Sequence, residues 1–386
     1  MPVVVLLLAL AVFAQGTSEF MMSGLIPDVA ADLHVSVPDA GWLTSAFALG
    51  MVVGAPLMAV LARRLPVRLA LSGFLSAFLA VHVLGAVTGS FPVLLGTRVV
   101  AALCNAGFLA VALAAVASLV GPARTGRATA ALLAGTTVAC VVGVPAGALL
   151  GQAYGWRAAF WAVAAVSLPA LLAVHRSVPA SPVGPAPRVR AELAVLRRPD
   201  TLWLLARGAL VNGGTFAAFT YLAPLVTGVA RLPVTVVPAV LALFGAGAWL
   251  GVTVAGRLAD RRPGPVLAAG GTALVAGWPA LAAAAGAPVP VLLLVPVLGA
   301  VSFAVGSTLI ARILAATAPG APRLAGGLAT AAFNVGAALG PALAGLVLDA
   351  GAGYRSPPLV AAVLAGSALA LSALARRVRA TAPVRH

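Results

Sequence analysis

The sequence has very little charge, and nearly all of that charge has one sign. Only 8% of its 386 residues are charged, lysine is absent, and 24 arginines face eight acidic residues. Hydrophobic residues make up 62% of the chain, and the mean hydropathy is +1.10. A soluble fold of this length has too little interior to hide so much apolar surface. The composition therefore excludes a soluble globular protein and predicts a membrane protein with many spans.

Cysteine is equally scarce, with only Cys104 and Cys140, and both fall inside apolar segments. They have no metal-binding spacing, so we interpret them as small apolar side chains and expect no metal site.

The net charge of +16 could suggest a nucleic-acid partner, but the arginines are not interleaved with aromatic residues in one basic patch. They recur in short clusters between apolar segments, which is typical of a protein oriented in a lipid bilayer. We therefore expect no nucleic-acid partner.

The apolar segments predict twelve transmembrane helices, since about 20 residues are needed to cross a bilayer. The fold class predicted is an all-α membrane protein, with spans near 3–26, 40–62, 67–89, 91–118, 128–152, 157–175, 201–226, 234–258, 265–285, 288–312, 324–348 and 357–375.

The arginines agree with this count. With the N-terminus inside, the cytoplasmic loops and the C-terminal tail hold nineteen arginines, whereas the outside loops hold only Arg157, Arg231 and Arg355. Two more, Arg98 and Arg207, lie within spans. Because positive charge accumulates on the cytoplasmic side, the sequence predicts a multi-pass protein of the bacterial cytoplasmic membrane with both termini in the cytoplasm.

The chain also repeats itself at an offset of 197 residues. Residues 15–27 align with 212–224, with glycine, leucine and proline coinciding, and 59–66 align with 256–263. These matches predict two six-helix halves of the same orientation, residues 1–176 and 201–386, with the substrate site between them near the midplane. The intervening residues 177–200 form a cytoplasmic linker. Its second part, residues 188–198, is either a short surface helix with Val189, Leu193 and Leu196 on its apolar face or a charged loop.

Glu19 is the one acidic residue deep inside an apolar span. A carboxylate there costs several kcal/mol unless it is protonated, paired or facing a water-filled cavity, so an intramembrane acid is a functional hypothesis by default. The alternative is a structural carboxyl with satisfied hydrogen bonds. Gln15 lies one turn earlier on the same helix face and could hydrogen-bond either the acid or a substrate.

Three motifs resemble signatures of the major facilitator superfamily. Residues 256–264 resemble its loop signature, whose first copy, at 59–68, departs from the pattern with Arg63 in place of Asp and Pro66 in place of Gly. Residues 95–98 resemble the helix 4 signature, although Ala101 and Ala102 replace its usual Gln-Gly. Residues 143–147 resemble the helix 5 antiporter signature, and 334–345 are its counterpart in the second half.

Within the superfamily, residues 13–20, 98–113 and 210–224 resemble actinobacterial chloramphenicol exporters of the drug:proton antiporter group. The resemblance implies export of chloramphenicol or a close analogue in exchange for protons. The proton gradient then drives transport without a cofactor, in a protein expected to be a monomer. One alternative is an exporter of sugars or another small metabolite. A second, an integral membrane enzyme, lacks the clustered acids or the nucleophile with its base that it would need, so we expect no enzyme.

The resemblance also assigns roles. Glu19 and Arg98 are candidates for proton coupling, with snorkelling to an interface as the alternative for Arg98. Gly143, Pro145 and Gly147 are candidates for bending and close packing, and Asp260 with Arg261 for gating. Chloramphenicol is uncharged and aromatic, so amides and aromatic walls suit it. The candidate substrate-binding residues are Gln15, Glu19, Asn105, Asn212, Phe216, Phe219 and Asn334.

Two of these polar residues have structural alternatives. Asn105 could line the cavity or make an interhelical hydrogen bond. Asn334 is the weaker amide candidate of the second half. His82, in the third span, is interpreted as a packed or hydrogen-bonded histidine rather than a proton carrier.

Overall fold

The computed structural model describes residues 3–62, 65–120, 122–178, 192–259, 263–321 and 324–381, and the regular elements in these ranges are helices. The first half contains α1 Val3–Phe20, α2 Met22–Asp32, α3 Val37–Ala62, α4 Val67–Val87, α5 Phe91–Val120, α6 Pro122–Val138, α7 Val144–Tyr154 and α8 Arg157–Ser177. A π-helical turn, Ala139–Gly143, joins α6 to α7.

The second half is helical as well. It contains α9 Pro199–Thr220, α10 Leu222–Pro224, α11 Val237–Ala259, α12 Pro263–Ala284, α13 Pro288–Thr317, α14 Ala325–Asp349 and α15 Ser356–Thr381. A π-helical turn at Leu225–Val229 continues α10, and 3-10 turns occupy Leu193–Arg197 and Val234–Val236.

The predicted all-α membrane fold is confirmed. In the described residues, eleven helices are long and apolar enough to cross a bilayer, and the number is twelve if α9 and residues 222–229, which bend by 47°, count as one span. Helices suit this environment because every backbone polar group must be satisfied without water. Large apolar side chains cover the outside of the helices, as at Leu293 and Val363, which are 65% and 67% exposed. Such surfaces match lipid rather than water.

The first span differs from its predicted range, 3–26. The helix is interrupted at Met21, whose backbone stays helical at φ −60° and ψ −25°, and it then continues as α2 to Asp32. Pro27 lies inside α2, where it cannot donate a backbone hydrogen bond. The apolar pattern stops at Ile26 because Asp28 and Asp32 follow, although the helix itself does not stop there.

The chain groups into two compact units, residues 1–186 with 220–245, and residues 187–219 with 246–386. Residues 220–245 therefore belong to the first unit, whereas the sequence repeat assigned them to the second half. The domain boundaries predicted from the repeat, 1–176, 177–200 and 201–386, stay a prediction.

Within the first unit, glycines allow α1 and α2 to approach the fifth span closely along its length. A Cβ at Gly135 would lie 2.5 Å from the Ala9 carbonyl oxygen, and one at Gly151 would lie 2.5 Å from Leu25. Between them, a Cβ at Gly143 would overlap Thr17. The contacts advance by eight residues on both sides, so one continuous seam joins the two spans.

The second unit has the corresponding seam between α9 and α14. A Cβ at Gly340 would overlap the Gly213 carbonyl oxygen, and one at Gly336 would overlap that of Ala209. Gly143 and Gly340 are 197 residues apart, which is the offset of the sequence repeat. Each half thus uses the same pair of spans for its closest helix packing.

The end of the linker docks within the second unit. Residues 179–191, including Val189, lie outside the described residues, and Leu193–Arg197 is a 3-10 turn, shorter than the surface helix that was one of the two alternatives. Val195 is buried whereas Leu193 is 39% exposed, so the predicted apolar face is wrong at these positions. The Glu192 carboxylate accepts a hydrogen bond from the Leu324 backbone N–H at 2.9 Å, at the start of α14.

Candidate functional site

Glu19 lies at the end of α1, two residues before the interruption at Met21. Its side chain is half-buried, whereas Gln15, one turn earlier, is fully buried. The Arg98 guanidinium acts on the carboxylate electrostatically, but the two groups form no ion pair in the described part of the chain. The acid is therefore near a positive charge without being neutralised by direct contact.

Arg98 is completely buried on α5 and binds the residue next to Glu19. Its Nη1 donates to Ser18 Oγ and its Nη2 to the Ser18 carbonyl oxygen, both at 2.8 Å. The guanidinium carbon lies 4.4 Å from the centre of the Phe47 ring, a cation–π distance. Arg98 thus points into the bundle, which contradicts the snorkelling alternative.

Ser18 and His82 belong to the same buried group. The serine hydroxyl lies 2.7 Å from His82 Nε2, and His82 Nδ1 lies 2.7 Å from the Phe78 carbonyl oxygen. The interpretation of His82 as a hydrogen-bonded histidine agrees with these contacts. The sequence signal for this group was an ionisable residue within a span, but it could not show that α4 brings His82 to Ser18.

Gln15 has an unusual environment for an amide. Its side chain is fully buried, and neither its Oε1 nor its Nε2 has a hydrogen-bond partner among the described residues. The same is true of the Thr44 and Ser45 hydroxyl groups on α3, which the sequence analysis missed because isolated hydroxyls in apolar spans are common. A buried polar atom without a partner costs about 1–3 kcal/mol, so these groups are suited to a ligand or water.

The antiporter-like motif, residues 143–147, begins at the last residue of the π-helical turn of the fifth span. Pro145 cannot donate a backbone hydrogen bond, and its ring crowds the carbonyl one turn earlier, so the helix widens over Ala139–Gly143. Gly143 lies directly against Thr17 of α1. Gly147 differs, because a Cβ there would lie 3.5 Å from that of Met21, an ordinary contact distance. Close packing therefore requires glycine at 143 but not at 147.

The remaining candidates of the first unit and the loop motif are placed as follows. Asn105 is buried on α5, two turns beyond Arg98. Asp260 and Arg261 lie outside the described residues, so their gating role stays a prediction.

The second-unit candidates have partners within their own unit. Asn212 Nδ2 donates to the Phe333 carbonyl oxygen at 2.7 Å, which ties α9 to α14. Asn334 Nδ2 donates to Thr330 in its own helix at 3.0 Å. The rings of Phe216 and Phe219 meet edge to face, with centroids 6.3 Å apart. The amides therefore have structural roles, and their contact with substrate stays a prediction.

Comparison with known proteins identifies the family. Two matches to the Major Facilitator Superfamily cover residues 8–276 and 231–386. This chain belongs to the Major Facilitator Superfamily. The superfamily predicted from the motifs is therefore confirmed, and a transporter fold is established over nearly the whole chain.

Three individual proteins of known sequence or structure are similar to the chain over nearly its whole length. The chain is 55% identical to the chloramphenicol resistance protein of Streptomyces lividans, over 99% of this chain and 98% of that one, which confirms the predicted resemblance. It is 35% identical to the inner membrane transport protein YdhP of Escherichia coli strain K12, over 96% and 95% of the two chains. A solved bacterial homologue of the human lysosomal transporter Spinster shares the fold, with a TM-score of 0.78, 19% identity and coverage of 97% and 96%.

Proposed function

We propose that this protein exports chloramphenicol or a related phenicol across the bacterial cytoplasmic membrane in exchange for protons. Near full-length similarity to a chloramphenicol resistance protein supports the substrate class. In this proposal both termini face the cytoplasm, the protein works as a monomer, and the proton gradient drives transport without a cofactor.

The observation that carries the coupling mechanism is the placement of Glu19. An acid that exchanges protons with both sides of a membrane must be accessible and must not be locked in an ion pair. Glu19 keeps part of its surface accessible, and Arg98 acts on it while its terminal nitrogens bond to Ser18. A carboxyl in this position can be charged in one state of the transport cycle and protonated in another.

Gln15 is the best-supported substrate contact of the first unit. It lies one helical turn from Glu19, and its buried amide has both a donor and an acceptor unsatisfied. Chloramphenicol carries hydroxyl and amide groups that can satisfy them. A proton site at Glu19 and a drug site at Gln15 would thus lie within one turn of α1, close enough for proton release and drug transport to be coupled, which is what antiport requires.

The test is resistance in cells that express the protein, with and without a proton uncoupler. We expect expression to raise the inhibitory concentration of chloramphenicol and the uncoupler to abolish intracellular drug exclusion. Glu19→Gln, at wild-type expression, should abolish export while drug binding to the purified protein survives. The control is Asp349→Asn, which neutralises an exposed acid at the end of α14. Full resistance in the Glu19→Gln strain contradicts the coupling role, and unchanged phenicol resistance on expression contradicts the substrate.

A further inference from the structure

Ser18 and His82 are fully buried polar residues to which the proposed export mechanism gives no role. Ser18 immediately precedes Glu19 on α1, and His82 lies on α4 with 1% of its surface exposed. Both are in the first compact unit, as are Glu19 and Arg98. Their hydrogen bonds determine where the guanidinium of Arg98 is held.

The direction of each hydrogen bond follows from the Phe78 carbonyl oxygen, which can only accept. His82 Nδ1, at 2.7 Å from that oxygen, must therefore carry a proton. In the neutral imidazole, Nε2 is then an acceptor, and the Ser18 hydroxyl donates to it across 2.7 Å. A cationic His82 would place two positive groups on one hydroxyl, so the neutral form fits this geometry.

Because the Ser18 hydroxyl donates its proton to His82, the lone pairs of Ser18 Oγ are free to accept a hydrogen bond from Arg98. Nη1 of the guanidinium donates to Oγ, and Nη2 donates to the carbonyl oxygen of the same residue. Two hydrogen bonds to one residue fix the plane of the guanidinium as well as its position. Stacking of the guanidinium on Phe47 restricts it further.

Both terminal nitrogens of Arg98 therefore bond to Ser18 while Glu19, the next residue, has no ion pair with Arg98. We propose that Ser18 and His82 are positioning residues for proton coupling, which hold the Arg98 guanidinium beside Glu19 and keep it from closing an ion pair with that carboxylate. This inference rests on the proposed proton-coupled export. It adds that the coupling acid stays available to protons because Ser18, oriented by the neutral His82, accepts the hydrogen bonds of Arg98.

The ionisable groups that interact here come from four elements. They are Glu19 on α1, His82 on α4, Arg98 on α5 and Cys140 on the π-helical turn. Other ionisable groups described on helices α2, α3, α4, α7 and α8 lie toward the ends of their spans, namely Asp28, Asp32, Asp39, Arg68, Tyr154, Arg157, His175 and Arg176. A change in the pH dependence of export on altering Ser18 or His82 would therefore report on this buried group.

The test measures export of radiolabelled chloramphenicol by proteoliposomes over a series of pH values. Ser18→Ala removes the acceptor for Nη1, and His82→Phe keeps a ring against Phe78 and Phe160 but removes the acceptor for the serine hydroxyl. Ser18→Ala leaves only the backbone carbonyl of residue 18 to hold Arg98, and His82→Phe lets the serine hydroxyl turn away from its present position. In either variant Arg98 reaches Glu19 more easily, and a directly paired carboxylate gives up its proton more readily. We expect the midpoint of the pH profile to move by about one unit to lower pH. His82→Gln, whose amide oxygen can accept from Ser18, should retain the wild-type midpoint.

The outcomes separate the two proposals. If wild-type proteoliposomes show no pH-dependent export, the proposed function fails. If the wild type exports but both folded variants keep its midpoint, or move it to higher pH, the positioning role is wrong while the proposed function stands. A purely structural role would lower the melting temperature and the maximal rate without moving the midpoint. Either variant alone decides the question if the other does not fold.

Discussion

Individual buried polar residues distinguish this protein from a bundle of apolar helices. Arg98 satisfies its charge with Ser18 and Phe47, whereas Gln15 leaves its amide unsatisfied in the structure. Both terminal nitrogens of Arg98 have partners and only its Nε has none, whereas neither polar atom of the Gln15 amide has one. This contrast separates residues that organise the site from residues that are available to a substrate.

Gln15→Met tests this distinction at the residue scale. Methionine has a similar shape but no amide, so removing an unsatisfied buried polar group should leave the stability of the protein unchanged or raise it by about 1 kcal/mol. Binding of chloramphenicol should weaken by about tenfold, because one hydrogen-bonding group is lost. Thermal unfolding and equilibrium binding on the same purified sample measure both effects. Unchanged drug affinity with unchanged stability would remove Gln15 from the binding site.

The sequence was sufficient to single out Glu19, Arg98 and His82, because ionisable residues in apolar spans are rare enough to notice. It was not sufficient to connect them. Ser18 has no sequence signal of its own. Its partners His82 and Arg98 lie 64 and 80 residues away along the chain, so these contacts depend on how α1, α4 and α5 pack.

At the scale of helices, the seam between the first and fifth spans determines how the site is held. The absence of a side chain at Gly143 leaves room for Thr17 of α1. The Thr17 hydroxyl donates to the Phe13 carbonyl oxygen at 2.8 Å. Thr17, which Gly143 contacts, is two residues before Glu19 on α1. The sequence predicted a bend at Pro145, but the spacing of the motif did not show that the helix would widen into a π-helical turn before that proline.

Gly143→Ala and Gly147→Ala form a matched pair for this seam. The first adds a methyl group where Thr17 Cβ and Cγ2 already lie 3.0 Å away, so rotating the threonine gives no relief. We expect it to destabilise the folded protein by about 1–3 kcal/mol. The second adds a methyl group at ordinary contact distance and should be neutral or stabilising by up to about 1 kcal/mol. Equal melting temperatures for the two variants would contradict the close packing at Gly143.

An ion pair and hydrogen bonds connect the ends of α2, α4 and α8. Asp32 accepts hydrogen bonds from Arg157 and from Trp156 Nε1, and Arg157 also donates to the Thr88 carbonyl oxygen at 2.9 Å. The hydrogen bond from Arg157 holds the pKa of the Asp32 carboxyl below its usual value. Asp32 is 44% exposed, so solvent screens this contribution and keeps it small.

Asp32→Asn should therefore lower stability in a pH-dependent way. Because the folded pKa lies below the unfolded one, the carboxylate stabilises the fold above the unfolded value and loses this effect as pH falls through the folded value. The difference in melting temperature between the wild type and the variant should be present at pH 7 and shrink below about pH 4. High salt should reduce it as well. A difference that grew on acidification would contradict the ion pair.

At the scale of the whole molecule, the arginine distribution predicts sidedness, and the two native cysteines make it measurable. Cys104 and Cys140 are buried, so a cysteine introduced in a loop can be labelled selectively. Ala352→Cys, between α14 and α15, should react with a membrane-impermeant maleimide in intact cells. Ala318→Cys, after α13, should react only once the membrane is opened. The opposite pattern would reverse the predicted orientation.

The central claim is that a proton gradient drives drug transport through Glu19, and proteoliposomes with an acidic lumen test it most directly. Protons leaving the lumen should drive accumulation of radiolabelled chloramphenicol above that of protein-free liposomes. Collapsing the gradient should abolish this accumulation, and Glu19→Gln should show none while still binding the drug. Accumulation by the wild type that persists without the gradient, or gradient-driven accumulation by Glu19→Gln equal to that of the wild type, would contradict the claim.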